Sequence, residues 1–194
     1  MIALIDNGHG AETPGKRSPD GRVLEFSYTR LLADWVVAGL KDESIEAHLV
    51  TPENEDIKLS ERCRRINELC NEHGAGNCLV ISLHLNASGN GSQWMNATGW
   101  SAHISMNAGA GSKRLAECLA DAAKEAGLKT RQPAADQKYW RQNLAICRDT
   151  ECAAVLTENL FQDSRSDVEY LLAEEGMKTL ARIHVQAIKK YIGR

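Results

Sequence analysis

Four residues able to hold a metal ion or move a proton are spread along the chain: His9, Glu25, His84 and Glu158. His9 stands between two glycines in "LIDNGHG", at the close of an apolar run. His84 closes "CLVISLH" and Glu158 closes "AAVLTE". Glu25 opens an amphipathic stretch that begins at Leu24. Two imidazoles and two carboxylates suit hydrolysis. Two histidines with one glutamate form a known ligand set for catalytic zinc, which keeps a fourth position open. Zinc so held lowers the pKa of its water to about 7 and polarises a carbonyl oxygen. A carboxylate outside the ligand set can then act as general base, and afterwards as acid toward a leaving amine. Spacing alone divides the four into three ligands and one base without saying which glutamate is which.

The elements around these residues must bring them together. Short apolar runs at 2–6, 46–50, 78–84, 99–105, 143–147 and 153–158 read as six strands. Helical spacing follows from Leu24, with Leu24, Tyr28, Leu31, Leu32 and Trp35 on one face. Further helices are predicted over 58–73, 112–126, 166–172 and 174–191. Strands alternating with helices predict one α/β domain, a twisted and mostly parallel sheet of about six strands with helices on both faces. In such a sheet the carboxyl ends of parallel strands share an edge, where open α/β folds bind ligands. That edge collects His9, His84 and Glu158, and Glu25 in the first turn of the following helix. The glycines around His9 are expected to let the backbone turn tightly.

Composition excludes several classes. The 194 residues are 43% hydrophobic and 25% charged, with net charge −3 and no basic run. Nucleic acid is therefore an unexpected partner. No apolar stretch reaches the ~20 residues of a membrane span. "GHG" lacks the spacing of a dinucleotide or phosphate loop. Met1 already belongs to the first strand pattern, so no signal peptide is expected. The six cysteines show no close CxxC pairing, and reduced thiols are the expectation. Cys63 and Cys70 share a helical stripe with Leu59 and Ile66, as small hydrophobes. His48, His73 and His184 read as structural, with His103 as the reserve ligand. Trp35 and Trp100 fall in patterned elements and read as core.

Taken in order, "LIDNGHG", Glu25 ahead of a helix, "LSERCRRIN", "VISLHLNAS" and "AVLTENLF" resemble the successive motifs of the zinc-dependent N-acetylmuramoyl-L-alanine amidases of the Amidase_3 type. The resemblance runs from residue 2 to the last helix. It implies a twisted six-stranded sheet, one Zn²⁺, peptidoglycan as substrate, and hydrolysis of the amide between the lactyl group of N-acetylmuramic acid and L-alanine. Position by position, it implies His9, Glu25 and His84 as zinc ligands and Glu158 as the catalytic carboxylate. Asn7 replaces the common proline after the first Asp, and Asn159-Leu160 precede Phe161 where the family often has a small residue. Neither departure touches the four positions.

Two long polar loops, 86–98 and 128–142, carry Trp94 and Trp140. These aromatics could stack on sugar or stem peptide, or fold back over the rim. Asn86 could steady the His84 loop by hydrogen bonding. A wall-binding module without catalysis, or a zinc peptidase acting on stem peptides, are the competing readings. Without a leader, synthesis in the cytoplasm and action at the bacterial wall after release, as by a phage or prophage lysin, is the expectation.

Overall fold

The computed structural model describes residues 1–194. Its six strands are β1 (Ile2–Asn7), β2 (Ala47–Leu49), β3 (Cys78–Asn86), β4 (Ser101–Ser105), β5 (Trp140–Gln142) and β6 (Ala153–Phe161). The helices are α1 (Glu25–Asp42), α2 (Leu59–His73), α3 (Ala110–Glu125), α4 (Ala145–Arg148), α5 (Arg165–Leu172) and α6 (Glu174–Ile192). They build one mostly parallel sheet in the order β2-β1-β3-β6-β4-β5, in which β4 alone meets its inner neighbour β6 antiparallel.

Period-2 alternation along the central strands divides two cores. In β3 the odd-numbered Leu79, Ile81, Leu83 and Leu85 enter the larger core under α1, α3, α5 and α6. The even-numbered Cys78 and Val80 enter a smaller core under α2 and α4. These two helices cover only the amino-terminal half of their face. Beyond Leu4, Val80 and Leu156 that face turns polar, through Asp6, Ser82, His84, Glu158, Ser101 and His103. A polar stripe thus crosses the strands on the half-uncovered side, and the functional residues lie along it.

Three sequence expectations change. "NLAIC" (143–147) is not a strand: Leu144 leads into the short α4, whose Ile146 and Cys147 roof the smaller core. The fifth strand is the polar Trp140–Gln142 just before it, an edge strand paired only with β4. On α1 the buried face is Tyr28, Leu32, Val36 and Leu40, rotated from the expected stripe. Leu31 is 50% and Trp35 38% exposed, so Trp35 is not core. Trp100 is fully buried and donates from its indole nitrogen to Asn159 Oδ1 at 2.9 Å.

His184 is fully buried against β6, with Nδ1 donating to the Leu180 carbonyl at 2.7 Å and Nε2 accepting from the Thr157 hydroxyl at 3.1 Å. Burial pushes it down to about 4. The folded protein therefore refuses a proton that the unfolded chain takes up below about 6.5. Its contribution to stability is full above that value and falls as pH drops toward 4, by on the order of 3 kcal/mol. Urea unfolding at pH 7 and pH 4.5 should show this loss, and His184→Asn should shrink it.

Candidate metal centre and active site

His9 follows β1 directly and, alone among the site residues, adopts a left-handed backbone, with φ 61°. The turn is therefore made by the histidine and not by its glycines. For a residue with a Cβ this conformation is strained and has to be held by its surroundings. Its carbonyl accepts from Arg30 Nη1 at 3.1 Å and Arg62 Nη2 at 3.3 Å. The adjoining Gly8 is pinned by donation to the Leu83 carbonyl at 2.8 Å. The glycines serve close approach instead. A Cβ on Gly8 would stand 2.4 Å from the His84 ring, and one on Gly10 2.1 Å from the Asp56 backbone.

Arg62 is almost inaccessible and bonds Asp6 Oδ1 at 2.9 Å, while Asp6 Oδ2 accepts from Ser82 at 2.5 Å. The same guanidinium donates to the carbonyls of Ile57 and Asn7. One buried ion pair thus ties α2 to the end of β1 and to the His9 turn. Arg62→Met leaves the Asp6 charge buried without its partner. It should destabilise the fold by about 3–5 kcal/mol, read as a lowered urea midpoint.

Glu25, the first residue of α1, is fully buried. Its Oε1 lies 3.4 Å from His9 Nε2 and 3.2 Å from His84 Nδ1. The Leu85 amide donates to Oε1 at 3.0 Å and the Gln162 amide to Oε2 at 2.9 Å. The donor atoms of His9, Glu25 and His84 all lie within 4.8 Å of one another. Burial works to raise the Glu25 carboxyl, but the hydrogen bond from His84 and the charges of both histidines hold it below the usual range. Burial pushes His9 down to about 4, against the pull of Glu25. His84 is also penalised by burial, yet its bond and attraction to Glu25 keep it above the ordinary histidine value. Two imidazoles around an ionised, oriented carboxylate form a donor set that fits one zinc, with the carboxylate itself held by outer hydrogen bonds.

Glu158 stands beside this group rather than in it. It is the register partner of His84 across β3 and β6, so both side chains leave the same face. Its Oε2 is inaccessible and has no hydrogen-bond partner. Burial, reinforced by Glu25 and opposed by His84, pushes the carboxyl up to about 7. The strand runs on past Glu158 through a bulge, where Asn159 and Leu160 stand against Leu85 alone. Leu160 takes φ 73°, a conformation that glycine adopts without steric cost, and is retained by burial in the larger core.

A family model described as N-acetylmuramoyl-L-alanine amidase matches residues 3–190. The chain belongs to that family. It is 28% identical over 193 residues to an endolysin of Bacillus phage SPP1, a match covering 98% of the chain. The chain spans 66% of the length of that curated relative. The solved N-acetylmuramoyl-L-alanine amidase of Clostridium difficile 630 superposes with a TM-score of 0.84 at 24% identity, covering 99% of this chain and 96% of that one. The catalytic domain of CwlV, an N-acetylmuramoyl-L-alanine amidase from Bacillus (Paenibacillus) polymyxa, gives 0.81 at 22% identity, covering 99% and 98%. At these identities the superpositions show that the amidase shares their fold.

Two clefts of the amidase flank the His–Glu group. One, of about 380 Å³, is lined by His9, His84, Arg62 and apolar residues including Ile57 and Leu144. The other, of about 350 Å³, is lined by Glu158 with Asn86, His103, Arg131, Trp140 and Gln142. Trp140 lies flat beside His103, with ring centroids 6.5 Å apart. Asn86 caps the strand end by accepting from the Ala87 amide at 2.9 Å. Trp94 lines neither cleft. It packs against the larger core, with the Arg165 guanidinium 4.5 Å from its ring. His103, the reserve ligand, stays outside the metal group. Its Nδ1 donates to Gln142 Oε1 at 3.0 Å and its Nε2 accepts from Ser101 at 2.9 Å.

Sequence reasoning missed Gly8 as a packing requirement and missed Arg30, Arg62 and Gln162 as supports. "LSERCRRIN" contained a signal for Arg62, because an arginine inside an amphipathic helix at a buried register demands a partner. Gln162 left no such signal.

Proposed function

We propose that the amidase hydrolyses the amide joining N-acetylmuramic acid to L-alanine in peptidoglycan, with zinc held by His9, Glu25 and His84 and with Glu158 as general base and acid. The observation that carries this is the convergence of three donor atoms within 4.8 Å beside an inaccessible, unpartnered carboxylate oxygen. When bound there, zinc supplies a Lewis acid for the lactyl carbonyl and acidifies water.

The protein's own groups do the rest. Gln162 and the Leu85 amide hold the Glu25 carboxylate in place, so it needs no reorganisation to ligate. The Arg30 and Arg62 bonds to the His9 carbonyl keep that imidazole turned toward Glu25. Glu158, pushed up to about 7, takes the proton of the attacking water on the part of its carboxylate that faces the cleft and delivers it to the leaving L-alanine nitrogen. Glycan and peptide fit the two clefts on either side, and Asn86 and Trp140 belong to the substrate-facing wall. The endolysin relative supports a lytic role at the bacterial wall. No helix is long and apolar enough to cross a membrane.

Clearing of purified peptidoglycan suspensions tests the reading. Activity should vanish on chelation and return with about one equivalent of zinc. Full activity after exhaustive chelation would refute the zinc assignment.

A further inference from the structure

The two clefts are not chemically alike, and the difference assigns the two halves of the substrate. This step rests on the amide-hydrolase reading of the same site. The general acid must reach the leaving nitrogen, so the chain carried by that nitrogen continues into the cleft that Glu158 itself lines. The acyl half then lies over His9 and His84, in the cleft that those two line.

In the Glu158 cleft one cation is conspicuous. Arg131 is half-buried, with its guanidinium 4.7 Å from the Phe161 ring centroid, and it makes no ion pair with any carboxylate of the chain. Its place is built. The Arg131 amide donates to the Trp100 carbonyl at 2.7 Å, and the Trp100 amide to the Lys129 carbonyl at 2.8 Å. Gly99, at φ 115°, leaves room for it, since a Cβ there would stand 3.1 Å from Arg131 Cγ. The opposite cleft offers no equivalent: its buried Arg62 is already neutralised by Asp6, and its exposed Lys58 is a flexible point charge without a fork of donors or a stacked ring. A planar, stacked and unpaired guanidinium next to the leaving-group site suits a carboxylate.

We infer that the Glu158 cleft is the stem-peptide subsite and that Arg131 binds the free α-carboxylate of the second residue, a γ-linked D-glutamyl unit. Arg131 acts there as a specificity determinant. It separates stems with a free carboxylate from those in which it is amidated.

Steady-state kinetics on two soluble muramoyl peptides, one with D-glutamate and one with D-isoglutamine at the second position, test this. The wild type should favour the free acid through KM. Arg131→Gln should raise KM for the acid about tenfold, leave kcat within twofold, and change the isoglutamine substrate little. Arg131→Lys should recover part of the loss. Equal effects of Arg131→Gln on both substrates, or none on either, would overturn the assignment. If the wild type released L-alanyl peptide from neither, the amide-hydrolase reading would fail. Calorimetry with the dipeptide L-alanyl-D-glutamine, whose side-chain amide stands for the γ linkage and leaves only the α-carboxylate free, then still decides the subsite. Binding about tenfold weaker to Arg131→Gln supports it, and equal binding overturns it.

Discussion

Glu158→Gln should lose about 10³- to 10⁴-fold in kcat while keeping its zinc and its unfolding midpoint. General acid–base catalysis contributes a factor of this order, and the amide can neither take nor return a proton. Glu158 lies outside the group of converging donors, so metal affinity should not change. Its Oε2 makes no hydrogen bond, so no folded-state contact to that oxygen is lost, and a partly charged group leaves a buried position. Glu25→Gln should behave oppositely. That carboxylate accepts from the Leu85 amide and from Gln162 and faces two imidazoles, so its neutralisation should cost both zinc and stability. Activity, bound zinc and urea midpoint measured on both variants separate the two glutamates. A Glu158→Gln enzyme that retains wild-type kcat would exclude the role assigned to it.

Gly8→Ala should lower both zinc affinity and activity about 100-fold without altering any ligand. The new methyl would stand 2.4–2.8 Å from three atoms of the His84 ring, far inside van der Waals contact. The backbone at Gly8 is held by the Leu83 carbonyl and by the Thr29 hydroxyl, which donates to the Gly8 carbonyl at 3.2 Å. The imidazole must therefore move, and displacement of a ligand by about 1 Å is enough for a loss of that size. Stability should fall by about 1–3 kcal/mol, as in other overpacked sites. The double variant Gly8→Ala/His84→Ala removes the obstructed ring, so the stability loss should be recovered while activity stays absent. Isothermal titration with zinc and urea unfolding read the two effects independently. Unchanged zinc affinity in Gly8→Ala would show that the His84 ring is not held by this contact.

The edge that gathers the proposed site was legible because three of its residues end or follow apolar strand runs, and parallel strands place such ends together. His9, His84 and Glu158 needed only that topology. Spacing alone did not separate the glutamates; the resemblance gave Glu25 to the metal and Glu158 to the proton, and the geometry is consistent with that, since Glu25 lies between two imidazoles. The strands run two and three residues past His84 and Glu158, since Leu85, Leu160 and Phe161 continue the buried pattern beyond the polar interruptions. β5 was misplaced because an edge strand of three residues needs no apolar face, whereas "NLAIC" is apolar as the roof of the smaller core. Trp35 illustrates the limit of periodicity on α1. Leu31 and Trp35 lie four apart like Leu32 and Val36, and only the packing of α1 on β1 and α6 decides which pair is buried. The glycines of "NGHG" attract attention as turn formers, but their function is to admit the His84 ring and the Asp56 backbone.

Mass spectrometry of the soluble products of peptidoglycan digestion tests the central claim most directly. The account predicts free stem peptides beginning with an unblocked L-alanine, together with glycan strands whose N-acetylmuramic acid carries a free lactyl carboxylate. Muropeptides that keep the lactyl amide intact, with cleavage between sugars or within the stem, would contradict it.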